Sequence, residues 1–109
     1  GWRAYDFRDP AGGARPFQWS EIDEAWQDWS RTRLRQALHH PLAKAAYLAD
    51  LEAMCQADAC LLVCPTGMSA HLEAGWMAGR RKPTVAWIPE QQRLELMYQL
   101  ASGVYEGLD

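Results

Sequence analysis

No stretch of this chain is both long and apolar. The longest such run, ADACLLVCP, falls well short of the roughly 20 residues that span a bilayer, and the first residues lack the basic-then-apolar order of a secretory signal. No membrane association is expected. Basic charge is not in excess either: 11 Lys and Arg stand against 14 Asp and Glu, for a formal net charge of −3. Only Arg80, Arg81 and Lys82 cluster, so binding to a nucleic acid polymer is not expected. Cysteine is sparse and odd in number. Cys55, Cys60 and Cys64 form no CxxC pair, so neither a disulfide framework nor a zinc knuckle is indicated. The expectation is reduced thiols, buried as small hydrophobes in a cytoplasmic protein, with no metal and no cofactor.

What is present suits a folded chain. The 109 residues are 49% hydrophobic and 23% charged, a balance that predicts a single domain over residues 1–109 with one core. Trp2 to Phe7 (WRAYDF) reads as a strand that ends at Arg8, Asp9 and Pro10, and AGGARP reads as loop. Ser20 is a candidate N-cap with Asp23 three residues on, and Trp19, Ile22, Trp26 and Trp29 recur at helical spacing. Ser30 caps an expected helix from Arg31 to about His40, with His39 and His40 at its C-terminus, and Pro41 starts another that runs to about Ala57. Ala59 to Cys64 (ACLLVC) is a short apolar run of the kind a sheet buried on both faces needs. A helix ending at Gly79, a strand from Thr84 to Ile88 and a helix near Arg93 to Ser102 complete the chain. Strand and helix in alternation predict an α/β fold, a small parallel sheet flanked by helices in the flavodoxin-like or Rossmann-like manner.

GMSAHLEAGWMAG, from Gly67 to Gly79, sets one carboxylate among small and apolar residues. The segment follows the C-terminal end of a strand, where loops and helix N-termini of α/β sheets gather around ligands. Ser69 reads as the N-cap, which puts Glu73 in the first turn, where the helix dipole favours an ionised carboxylate. In a cleft such a carboxylate is a candidate nucleophile toward an electrophilic carbon. His71, Ala74, Gly75 and Ala78 share a narrow face that would let the backbone approach the sheet closely.

The run ADACLLVCPTGMSAHLEAGWMAGRRKPTVAW resembles the nucleoside 2-deoxyribosyltransferase family in its Ala57-Asp58, Leu61 to Cys64 strand, Gly67, Glu73, Gly75-Trp76 and Lys82-Pro83. Upstream, YDFRDP and FQWSEID look like the second strand and substrate-covering loop of an uncharacterised bacterial and phage branch of that family, which brings Asp6, Phe7, Arg8, Phe17 and Trp19 in as substrate-binding candidates. Family members begin with a further strand, and this chain starts after that point.

The resemblance implies a retaining glycosyl mechanism. Glu73 matches the nucleophile that attacks the anomeric carbon, and Asp50 matches the aspartate that contacts the leaving base, with Asp58 a rival. Ser69 matches a serine that holds a 5′-phosphate in the deoxynucleotide-hydrolysing branch. Gly67 stands where the transferases have an aspartate that contacts the sugar. Met97 and Tyr98 lie in a segment, Glu95 to Tyr98, that resembles one completing a neighbouring subunit's pocket, so a homo-oligomer is expected. The implied ligand is a nucleoside or nucleotide. Three activities follow as alternatives: deoxyribosyl transfer, hydrolysis of deoxynucleoside 5′-monophosphates, and nucleotide binding without turnover.

Overall fold

A computed structural model describes residues 1–8 and 16–106, and the chain divides into two compact units, Gly1–Cys55 and Gln56–Asp109. Asp9 and Pro10, at the end of the expected first strand, and most of AGGARP lie outside the described residues.

In the first unit the expected strand from Trp2 to Phe7 does not form. Asp6 makes a single bridge, and Trp2 is 98% exposed. Strand propensity is realised only against a pairing neighbour. Here Tyr5 and Phe7 instead meet edge to face at 5.0 Å, and the Asp6 carboxylate accepts the Arg8 backbone N–H at 2.9 Å. The tryptophan-rich segment is likewise not a continuous helix but two 3-10 turns, Trp19–Glu21 and Trp26–Asp28. The cause is Asp23, whose carboxylate accepts from the Ala25 N–H at 2.9 Å and the Trp29 indole at 2.7 Å. A side chain that binds its own backbone competes with helix propagation.

Ser30 caps α1 (Arg31–Ala37) as expected, accepting from the Arg33 N–H. The helix ends three residues before His40, because His40 serves the next one: its Nδ1 accepts the Leu42 N–H at 3.1 Å at the start of α2 (Pro41–Gln56). Ala37, Ala43 and Met54 are the buried apolar residues of these helices.

The second unit holds a three-stranded sheet in the order β1 (Cys60–Val63), β2 (Thr84–Trp87), β3 (Gly103–Tyr105), all parallel. The α/β expectation therefore holds, with a different set of strands. Helix α3 (Met68–Gly79) connects β1 to β2, and a 3-10 turn, Leu96–Leu100, connects β2 to β3 where a longer helix was expected. Cys60 pairs with Thr84 and Val63 with Trp87; Val85 pairs with Gly103 and Trp87 with Tyr105.

Side chains alternate along these strands, and the register keeps paired residues on one face. Leu62, Cys64, Ala86 and Ile88 pack with Ala74 of α3 into the core, joined by Cys60, Ala70, Tyr98 and Ala101. The opposite face is not covered as a doubly buried sheet would be. Leu61 is 64% exposed and Val63 50%. Cys64 is buried and Cys60 half-buried, as expected of them, but Cys55 is exposed, so its thiol is not a core hydrophobe.

Helix α3 closes through paired reverse bonds, Lys82 N–H to the Met77 carbonyl at 3.1 Å and Arg81 N–H to the Ala78 carbonyl at 2.9 Å. This closing motif needs a left-handed residue, usually glycine. Arg81 takes that position, with φ of 59°.

Candidate functional site

The structure moves the start of α3. Gly67, not Ser69, is the N-cap, and it offers no side chain to the first free N–H groups. Ser69 becomes an exposed residue of the first turn, and Glu73 falls in the second turn, not the first. The dipole argument for its ionisation therefore loses force, since the effect fades beyond the first turn.

Glu73 is half-buried, on the helix face it shares with Ala70, which packs against the core, and Met77, which is buried. Its carboxylate acts electrically on the sheet. The Cys60 thiol is pushed up from its ordinary pKa, first by burial and then by the negative charge of Glu73.

The other side of α3 carries a hydrogen-bonded chain. His71 Nδ1 lies 2.9 Å from the Gly67 carbonyl, and its Nε2 lies 3.0 Å from the Tyr98 hydroxyl. A carbonyl only accepts, so in the neutral ring Nδ1 holds the proton and Tyr98 donates to Nε2. Gln92 Nε2 donates to the same hydroxyl at 2.9 Å, and the His71 and Tyr98 rings stack 5.7 Å apart. Burial raises the Tyr98 pKa, and the neighbouring Cys64 raises it further.

Met97 and Tyr98 line a cavity of about 160 Å³, together with His71, Ala74, Gly75 and Ala78. Glu73 is not among its lining residues. Of the residues singled out from sequence, the second unit thus brings Gly67, Met97 and Tyr98 together around His71 and leaves Glu73 on a different face of the helix. The expected close approach of α3 to the sheet at Gly75 is also corrected, because a Cβ there would meet nothing within 4 Å.

In the first unit Asp50, on α2, is partly buried, and its carboxylate accepts from the Tyr5 hydroxyl at 3.3 Å. Burial raises its pKa, with the Tyr5 bond opposing. Asp6 and Arg8 pair with each other at 3.3 Å on the surface. The Arg8 backbone N–H and then its guanidinium lower the Asp6 pKa. Phe7 is half-buried against Tyr5, and Phe17 meets Trp19 edge to face at 5.1 Å, which in turn meets Trp29 at 6.0 Å. Asp58, the rival carboxylate, is exposed at the start of the second unit.

Among the described residues no group of three or more His, Cys, Asp or Glu side chains could hold a metal ion, and no helix is long and apolar enough to cross a membrane. No protein-family model, curated protein or solved structure matches the chain.

Sequence reasoning missed Gln92, Thr84 and the cavity itself. The available signal was Gly75, a glycine inside a helix that pays about 1 kcal/mol relative to alanine with no turn to make.

Proposed function

We propose that the chain acts on the N-glycosidic bond of a nucleoside or nucleotide, with Glu73 as nucleophile. The supporting observation is the seat of Glu73: a half-buried carboxylate on the crossover helix, close enough for its charge to raise the pKa of the Cys60 thiol at the start of β1. A carboxylate partly withdrawn from water is less solvated and more reactive toward carbon.

In the first step a Glu73 oxygen bonds to the anomeric carbon while the carbon–nitrogen bond breaks, and its electron pair leaves with the base, which takes up a proton. In the second, water or another base attacks the same carbon and frees the carboxylate. The donor of that proton is a general acid, a group that holds its proton to higher pH than a free carboxylate.

One observation favours hydrolysis of 5′-monophosphates as a second reading. Gly67 leaves the start of α3 without a side-chain cap, and Ser69 adds an exposed hydroxyl there. Free N–H groups and a hydroxyl at a helix start suit a phosphate. The nucleotide ligand and a homo-oligomeric assembly belong to the same proposal.

The test is intact-mass measurement after incubation with a panel of 2-fluoro-2-deoxynucleosides and their 5′-monophosphates. A glycosyl adduct that Glu73→Gln fails to form is expected. Base exchange between two deoxynucleosides would indicate transfer, and base release from monophosphates hydrolysis. An adduct that persists in Glu73→Gln, or no adduct and no base release with any member, overturns the assignment.

A further inference from the structure

We propose that the cavity between α3 and the 3-10 turn is a second, independent binding site, for a small ring-sized apolar ligand that is neutral or cationic.

Its size sets the first limit. At about 160 Å³ the space matches a single ring, since an apolar cavity of about 150 Å³ holds benzene. The hollow is open at Met97 and Leu100, both more than half exposed, so it seats one ring and leaves the rest of a larger ligand in solvent. The walls set the second. Leu62, Ala74, Ala78, Ala86, Leu100 and Ala101 supply aliphatic surface, and the polar lining groups other than Glu95 are already engaged. Both His71 nitrogens are bonded within the protein, Tyr98 is bonded to His71 and Gln92, and the Thr84 hydroxyl donates to the Lys82 carbonyl at 3.1 Å. A ligand that demanded several hydrogen bonds would leave its own groups unpaired.

Gly75 is the independent sign that the space is kept. It lines the cavity, and a Cβ built on it meets nothing within 4 Å. Close helix packing, the usual reason for a glycine within a helix, is therefore absent, while the cost in helix propensity remains. An alanine would stabilise α3, and a larger residue would also fill the hollow. The glycine keeps it open.

Charge sets the last limit. Glu95 is exposed and belongs to the lining, so a carboxylate stands at the rim. It repels anions and accepts a cationic substituent reaching outward from the ring.

The experiment titrates the intact chain with toluene, benzylammonium and benzoate, three probes with one ring and different charge, following amide chemical shifts. Saturable binding of toluene and benzylammonium is expected, with benzoate weaker by about tenfold or more, a difference that Glu95→Gln should abolish. Gly75→Leu should weaken toluene and benzylammonium by about tenfold or more while circular dichroism shows a folded chain. If that variant does not fold, Gly75→Ala and Ala78→Val serve, with a smaller loss expected. Failure of both toluene and benzylammonium to saturate, benzoate binding as tightly as they do, or unchanged affinity in a folded filled variant overturns the proposal. Binding should persist in Glu73→Gln, so this result is separable from the glycosyl chemistry.

Discussion

The two faces of the three-stranded sheet are built from neighbouring residues of similar chemistry and meet different fates. Leu62, Ala86 and Ile88 are buried on the α3 side, whereas Leu61 and Val63, one position away in the chain, remain half or more exposed, as does Tyr105 on β3. Hydrophobic character therefore does not decide burial in this sheet. The position of the crossover does, because α3 lies over one face and supplies Ala70 and Ala74 to it. Small side chains on that helix let it pack and also leave the cavity beside Gly75.

The largest effect that could break this comparison is in the paired leucines. Leu62→Ala should cost about 2–5 kcal/mol in urea unfolding, as for a truncated core leucine, while Leu61→Ala should stay within about 0.5 kcal/mol. Equal losses would mean that the open face is covered in solution.

Next come the two glycines. Gly75→Ala should gain about 1 kcal/mol, from helix propensity and an unobstructed Cβ. At Gly103 the Tyr105 ring lies back over the backbone, and a Cβ would come within 2.9 Å of it. The ring must swing away, which offsets any gain, so Gly103→Ala should show no stabilisation in the same assay. Matching gains at both positions would contradict the described packing.

The smallest effect concerns the thiols. Iodoacetamide should modify exposed Cys55 first and buried Cys64 last, as read by peptide mass. Cys60 should react slowly, and because its pKa is raised its thiolate appears only at higher pH, so its rate should keep climbing with pH past the point where an ordinary thiol levels off. Glu73→Gln removes one of the two causes and should speed Cys60 by less than about tenfold. An unchanged rate would separate Glu73 from the sheet.

The elements with strong local marks were legible in the sequence. ACLLVC and TVAWI are short apolar runs between turns, Ser30 is a capping residue, and Pro41 opens a helix; all four appear where expected. The misreadings share a cause in long-range or side-chain contacts. Trp19 to Trp29 has helical spacing, but the Asp23 carboxylate takes up the local N–H groups. Arg93 to Ser102 has apolar residues spaced as on a helix, yet Gly103–Tyr105 pairs with β2, and a three-residue run opening on glycine is too short to mark a strand by itself.

At the site, the residues near Glu73 were legible as a segment but not as a geometry. A two-position ambiguity between Gly67 and Ser69 as cap moves Glu73 from the first turn to the second. The bond between His71 and Tyr98 joins residues 27 apart in the chain, and no short-range pattern announces it.

Arg81 carries a consequence for the link from α3 to β2. A long, charged residue held at φ of 59° sits where local preference asks for glycine, at a penalty of about 1 kcal/mol. The reversal is thus imposed from outside its own residues: the returning strand, anchored when Lys82 Nζ donates to the Ala57 carbonyl at 2.7 Å, draws the chain through a bend it would not choose alone. Tertiary structure makes this corner, and an excised α3 would have no reason to keep it.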